Sequence, residues 1–383
     1  MDLSKPMLPR SAYIHVPFCA HHCGYCNFSV IAGRNDLAEE YIDAVAWELE
    51  QLPITPGQAT LDTLYFGGGT PTQLTADQFR RLFAAVTSWL PISEKAEITV
   101  EANPADVETE KLATMAALGV NRISLGSQSF HDQHLRTLQR DHASCYISRV
   151  TSLIRKACIA SVFLDLIFAV PGQSLADWRA DLAAVIELAP QHVSTYGLTF
   201  EKGAAFYGRL RSGDLQEADE NLQRDMYLAA IDTLTAAGFE HYEVSNFARP
   251  GRRSRHNEVY WTGQTFWAFG PGAARFVDGR RATNHRSVTT YLQRIRGGQS
   301  PVAEVETLSP EDAASERLVF DLSRLESKPP TEIQAQTGYA VDDLVGDQLP
   351  EFVRLGLLHY ADDRLRLTPA GLLVSDSIWP AFL

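Results

Sequence analysis

The stretch "HVPFCAHHCGYCNF", residues 15–28, packs three of the chain's five cysteines into eight positions: Cys19, Cys23 and Cys26. The spacing is C-x3-C-x2-C, and the position two beyond the last thiol is Phe28, so no fourth cysteine closes the set. The preceding "SAYIHV" (11–16) has the alternating, β-branched and aromatic composition of a strand and ends at the cysteine loop. Two kinds of site use such a triplet. Structural zinc would take a fourth ligand from His15, His21 or His22, but such sites draw their ligands from two separated pairs. Cys145 and Cys158 stand alone in helical stretches and read as buried small hydrophobes. The alternative is an iron–sulfur cube held at three corners, with one iron left open for an exchangeable ligand.

Working outward, five more strand-like runs follow, each separated by helical periodicity: "LDTLYFGGG" (61–69), "AEITVEAN" (96–103), "NRISLGSQSF" (121–130), "SVFLDLIFAV" (161–170) and "QHVSTYGLTF" (191–200). The run at 161–170 is so apolar and β-branched that it predicts a strand buried on both faces. Thr75 and Gln78 form a capping-box signature for the helix after the second strand. Six strands alternating with helices predict an α/β fold with a parallel sheet and right-handed crossovers, curved into a partial barrel. The chemically distinctive residues then fall at one edge. Cys19 follows the first strand, Gly67-Gly68-Gly69 the second, Glu101 the third, Gln128 the fourth and Asp165 the fifth; Tyr196 and Thr199 close the sixth. The carboxyl ends of parallel strands are where ligands bind in such sheets.

Bulk properties narrow the function. The 383 residues carry 34 basic and 47 acidic side chains, a net charge of −13, which disfavours a protein tracking nucleic-acid phosphates. Apolar runs are strand-length, so no transmembrane span is expected, though peripheral membrane association stays open. The N-terminal residues lack the apolar core of a secretory signal. An odd number of cysteines, three of them clustered, argues for the reducing cytoplasm. From about Pro301 the pattern changes to helices, a short "DRLRLT" hairpin and a final amphipathic helix with Leu372, Leu373, Ile378 and Trp379. That layout is winged-helix-like, and in an acidic chain it suits a cover over the barrel mouth better than DNA binding.

The cysteine spacing after a first strand, with Tyr25 before the last thiol, resembles the radical SAM superfamily. "GGGTP" (67–71) resembles that superfamily's glycine-rich motif. More narrowly, "YIHVPFC", "YFGGGTPT", "TVEANP", "NRISLGSQSF", "DLIFAVPGQSLADW", "STYGLTFEKG" and "YEVSNFARPG" occur in the order found in the oxygen-independent coproporphyrinogen III oxidase-like family, over about residues 13–300. The resemblance implies a radical SAM partial (β/α)6 barrel with additional strands and a smaller, mainly helical C-terminal domain. It implies a 4Fe-4S cluster on Cys19, Cys23 and Cys26, and S-adenosylmethionine (SAM) near Tyr13, Tyr25, Gly67, Gly68, Gly69, Thr70, Glu101, Gln128, Arg140 and Asp165. Backbone N–H groups of the glycines would approach the SAM amino acid end, Glu101 its ammonium and Asp165 its ribose.

Within this family, Phe28 stands where the porphyrinogen decarboxylases carry another cysteine, and only 18 residues precede the cluster. "RHNEVYW" (255–261) resembles the H-N-x-x-Y-W motif of the heme-chaperone branch, implying heme near His256, Asn257, Tyr260 and Trp261, with His256 offering its imidazole to iron. "GPGAARF" departs from the family's G-P-G-A-H-S at Ala274 and Arg275. The expected organisation is a barrel over 1–240, an extension carrying the motif over 241–300 and a C-terminal domain over 301–383. Heme and client hemoproteins are the implied partners, with an electron donor of flavodoxin or ferredoxin type if SAM is cleaved. The alternative is catalytic: hydrogen abstraction from a tetrapyrrole, or a related methyl transfer.

Overall fold

The computed structural model describes residues 8–383, so the first seven residues of the expected 1–240 unit lie outside the described residues. The six expected strands form: β1 Ser11–Val16, β2 Leu61–Gly68, β3 Ile92–Ala102, β4 Arg122–Gln128, β5 Ser161–Phe168 and β6 His192–Gly197. They pair in chain order and all in parallel. Helices such as Ala38–Glu50, Ala76–Trp89 and Leu175–Leu188 return the chain between them. Both elements of the Thr75–Gln78 capping box are made, and Ser174 with Asp177 makes a second. In β5 every residue is buried except Asp165, which is partly exposed. Covered on both faces by its neighbours, that strand has one position that opens onto anything but packing.

Segment 241–300 is more deeply built into the barrel than a separate extension would be. β7 (Glu240–Glu243) and β8 (Asn246–Ala248) continue the sheet beyond β6 as antiparallel strands, and β9 (Trp267–Phe269) pairs in parallel with β1. The resulting sheet has the order β9-β1-β2-β3-β4-β5-β6-β8-β7 and does not close. Strands of three or four residues carry too little alternation to be read from periodicity, which is why they escaped the sequence pattern. Val288, Tyr291, Leu292 and Ile295 of the helix Val288–Arg296 join the main core.

The C-terminal residues build a second core around Leu318, Leu322, Ile333, Leu349, Leu358, Leu365 and Ile378. Short helices lead into the hairpin Leu358–Ala361 and Arg364–Leu367. The final helix, expected to be continuous, is broken at Val374 into Pro369–Leu373 and Ser375–Ile378. The break separates its faces: Ile378 enters the second core, while Leu372, Leu373 and Trp379 turn towards the barrel mouth. An ion pair between Arg253 and Glu326 at 2.6 Å, and a bridge between Glu243 and Arg324, tie this domain to the sheet edge. Among the described residues no helix is long and apolar enough to cross a membrane.

Candidate functional site

A cavity of about 1560 Å3 opens at the carboxyl ends of β1–β6. Cys19, Cys23 and Cys26 line it together with Tyr25, Gly68, Gly69, Thr70, Glu101, Gln128, Arg140 and Asp165. Tyr13 and Gly67 lie just beneath. The Tyr13 ring packs against Tyr65 at 6.0 Å, and its hydroxyl meets His15 Nδ1 at 3.1 Å. The cavity wall includes residues far apart in sequence because each belongs to a strand end.

The cysteine loop is shaped by partners that its own sequence does not reveal. Phe206 N donates to Gly24 O at 2.7 Å, and a Cβ on Gly24 would strike the Phe206 ring. His15 Nε2 meets Ser29 O at 2.8 Å, and the Arg286 guanidinium donates to Asn27 O. Each sulfur also has a polar neighbour. Thr70 Oγ1 lies 3.6 Å from Cys19 Sγ, Phe28 N donates to Cys26 Sγ at 3.5 Å, and Arg140 Nη1 points at Cys23 Sγ from 3.8 Å. Burial pushes the Cys19 thiol up to about 12 and raises Cys26 as well. Part-buried thiols with polar neighbours aimed at them suit coordination by a cationic centre, which deprotonates them outright. Among the described residues no three His, Cys, Asp or Glu side chains converge at the spacing of a single-ion site. The three cysteines rim one cavity and supply the number of thiolates that a cube with one open iron takes.

Cys145 and Cys158 are both exposed, not buried. The helix Cys145–Lys156 buries Ile147, Val150, Thr151 and Ile154, which leaves Cys145 outside that stripe, and Cys158 lies in the turn beyond.

The three glycines are needed for three different reasons. A Cβ on Gly67 would meet Tyr65 and Glu101, one on Gly68 the His15 ring, and one on Gly69 the carbonyl of Phe18. Their N–H groups do not point freely into the site, as the sequence had implied. Gly68 N donates to Glu101 Oε2 at 3.0 Å, Gly69 N to Val16 O at 2.8 Å and Thr70 N to Phe18 O at 2.7 Å. The motif therefore welds the end of β2 to the cysteine loop and holds Glu101 in place.

Glu101 also accepts a hydrogen bond from the Tyr65 hydroxyl at 2.7 Å. Burial raises its carboxyl to about 7, with the neighbouring Asp165 adding to the shift. Asp165 accepts from Ser124 Oγ at 2.8 Å, and burial lifts it to about 6. Two carboxylates held in this way keep acceptor lone pairs that a cation or hydroxyls can satisfy. Gln128 has a φ of +63° at a register shift between β4 and β5, a bulge that folds its amide back over Gly126. Arg140 donates to Asn103 Oδ1 at 2.8 Å and Gly126 O at 3.1 Å, and its buried Nε has no partner.

The H-N-x-x-Y-W motif is placed elsewhere. It forms the helix Arg255–Trp261, set against the opposite, amino-terminal ends of the strands. His256 is only 1% exposed. Its Nδ1 meets Thr63 Oγ1 and its Nε2 meets the Tyr260 hydroxyl, both at 2.8 Å, while Glu97 accepts its backbone N–H at 3.1 Å. Burial lowers its pKa to about 3. With both ring nitrogens engaged and the ring enclosed, His256 offers no lone pair to a heme iron in this arrangement; that expectation is corrected. Tyr260 packs edge-on against Phe266 at 4.7 Å and Trp261 against Tyr242 at 5.8 Å, and both stay part-buried. Asn257 alone of the four lines the cavity.

Comparison with known proteins identifies the family and the fold. The chain matches the radical SAM superfamily over residues 13–185 and the HemN C-terminal domain over residues 308–374. It is 32% identical to the heme chaperone HemW of Bacillus subtilis over 375 residues, covering 98% of this chain and 99% of that protein. It is 33% identical to the heme chaperone HemW of Escherichia coli, covering 98% of each. The chain belongs to the HemW heme-chaperone family. Its fold is that of the coproporphyrinogen III oxidase HemN from Escherichia coli, with a TM-score of 0.87 at 24% identity, over 99% of this chain and 91% of that one. Membership in a radical SAM family implies a 4Fe-4S cluster and SAM.

Proposed function

We propose that this protein is a heme chaperone that carries its cluster on Cys19, Cys23 and Cys26, SAM beside Glu101, Gln128, Arg140 and Asp165, and heme in the outer part of the same cavity. When loaded, the cluster supplies an open iron for the amino and carboxylate groups of SAM. The residues around it bind and orient: Glu101 takes the ammonium, and Asp165 with Ser124 accepts and donates to ribose hydroxyls. Arg140 and Gln128 fix the side nearest Cys23.

The observation that carries the heme assignment is the cavity itself. Pockets for one drug-sized ligand hold roughly 300–1,000 Å3, and this one exceeds that range. Its wall carries apolar patches, Ile167, Phe168 and Leu198 on the barrel side and Leu372, Leu373 and Trp379 on the C-terminal side, between polar and charged residues such as Arg224, Glu220 and Asp376. Three of the protein's conspicuously exposed apolar or aromatic side chains face it as well: Phe28, Tyr196 and Val374, at 64%, 44% and 41% exposure. A flat apolar macrocycle would cover that surface.

Heme titration tests the assignment. Val374→Asp and Tyr196→Ser are each expected to weaken heme binding by roughly tenfold or more, the scale of losing one buried apolar side chain. SAM affinity should stay within twofold. Unchanged heme affinity in both variants would overturn the location. Wild type that binds no heme but decarboxylates a porphyrinogen under reducing, anaerobic conditions would overturn the chaperone role in favour of the catalytic alternative.

A second expectation concerns pH. The folded pKa of Glu101 is raised, so its contribution to stability is fully present below its ordinary value near 4.5 and is lost as pH rises to about 7. SAM binding runs the other way, because the ammonium favours the ionised carboxylate. Between pH 6 and 8 SAM affinity should rise, with proton release on binding near neutrality. Calorimetry in buffers of different ionisation enthalpy reads that release, and a Glu101→Gln variant should show little of it.

A further inference from the structure

The strongest feature not used by the binding site is the enclosed motif helix, and what its histidine touches. His256 and Tyr65 stack with ring centroids 5.0 Å apart and an interplanar angle of 28°. The Tyr65 hydroxyl is the donor to Glu101 Oε1 at 2.7 Å, and the other oxygen of that carboxylate is held by Gly68 N. Below, His256 is fixed on three sides by Thr63, Tyr260 and Glu97. Continuous contact therefore runs from the floor helix through one histidine and one tyrosine to the carboxylate at the barrel mouth.

We propose that His256 is a positioning residue for SAM: it clamps the Tyr65 ring so that Tyr65 holds Glu101 in the orientation that receives the SAM ammonium. This rests on SAM being bound at Glu101, as proposed above. A hydroxyl at the end of a strand side chain can aim at a carboxylate only if the ring is prevented from tilting. Tyr13, at 6.0 Å and 35°, also packs against the ring, and the His256 stack is the closer of the two contacts. The two ring-nitrogen partners of His256 then have a reason to exist, since a histidine free to rotate would not serve as a clamp. By linkage, SAM binding must in return stabilise the helix Arg255–Trp261.

The test uses full-length, anaerobically reconstituted protein. SAM affinity is measured by equilibrium dialysis, and amide exchange in residues 255–261 is followed with and without SAM. Tyr65→Phe keeps the stack and removes the hydrogen bond; loss of a bond to a charged group corresponds to a drop of roughly 10-fold or more. His256→Ala is expected to weaken SAM binding by about 3- to 10-fold, and the double variant by much less than the product, because both act through one contact. Exchange in the helix should slow when SAM binds to wild type.

His256→Ala with unchanged SAM affinity, additive effects in the double variant, or exchange indifferent to SAM would each overturn the proposal. Loss of heme binding with SAM affinity intact would assign His256 to heme instead. Should His256→Ala fail to fold, Thr63→Val removes only the Nδ1 partner and is expected to weaken SAM binding about twofold; no change there also overturns it. Glu101→Gln separates the two levels: if it binds SAM normally, the placement of SAM at Glu101 fails first.

Discussion

Cys23→Ser protein, reconstituted anaerobically, is expected to lose most of its iron and sulfide and to lose measurable SAM binding, while keeping its far-ultraviolet circular dichroism. Wild type should hold iron and sulfide near four each per chain, the content of one cube. With one thiolate removed, a cube that already has an open iron would keep only two protein anchors. Arg140, whose Nη1 points at the Cys23 sulfur, would also lose the anion it faces. The fold should survive because the loop is held by groups other than its thiols. Phe206 N reaches Gly24 O, Gly33 N reaches Cys19 O at 3.0 Å, and Ile31 N reaches Pro17 O at 2.8 Å. Cys145→Ser and Cys158→Ser, at exposed positions at the start of the far helix and in the turn beyond it, should leave the iron content unchanged. One zinc per chain in wild type, or iron retained by Cys23→Ser, would refute a cube ligated at these three residues.

The barrel was legible in the sequence because its strands carry their burial in their composition. "SVFLDLIF" announces a strand covered on both faces, and the single charged residue within it, Asp165, marks the site. The same logic found Glu101, since a carboxylate at the end of "EITVE" has no reason to be there unless something meets it. What escaped was everything that acts through long-range contact. Phe206 and Arg286 shape the cysteine loop from elements up to 259 residues away along the chain, and no local pattern connects them. Glu48 is a further case: buried against Gly270 N at 2.8 Å and Asn284, it reads in sequence as one more charge on a helix. His256 shows the opposite failure. Its motif was identifiable, but a motif names residue types and not the direction in which a side chain points. Only the structure shows the ring turned inward onto Tyr65, with both nitrogens spent.

Gly68→Ala is expected to be the most damaging exchange of one hydrogen for a methyl group in the chain's glycine motif, with a stability loss of about 2–4 kcal/mol from overpacking plus backbone strain. Two effects coincide there. The backbone has a φ of +103°, which an L side chain resists, and the new Cβ would lie 2.5 Å from His15 Cε1 and 2.6 Å from Nδ1. The His15 ring cannot yield cheaply, because the Tyr13 hydroxyl holds one nitrogen and Ser29 O the other. Ser29 follows the cysteine loop, so a displaced ring would also disturb the cluster. Gly172→Ala provides the comparison. Its φ is +81°, yet its Cβ would meet nothing within 4 Å, so only the backbone term of roughly 1 kcal/mol applies. Denaturant midpoints for the two variants isolate the difference, and iron content after reconstitution reads the second consequence. Gly68→Ala should fall in both, and Gly172→Ala only slightly in the first. Equal losses of stability would mean that His15 gives way, and that the glycine serves its backbone angle alone rather than the close packing of β2 against the cysteine loop.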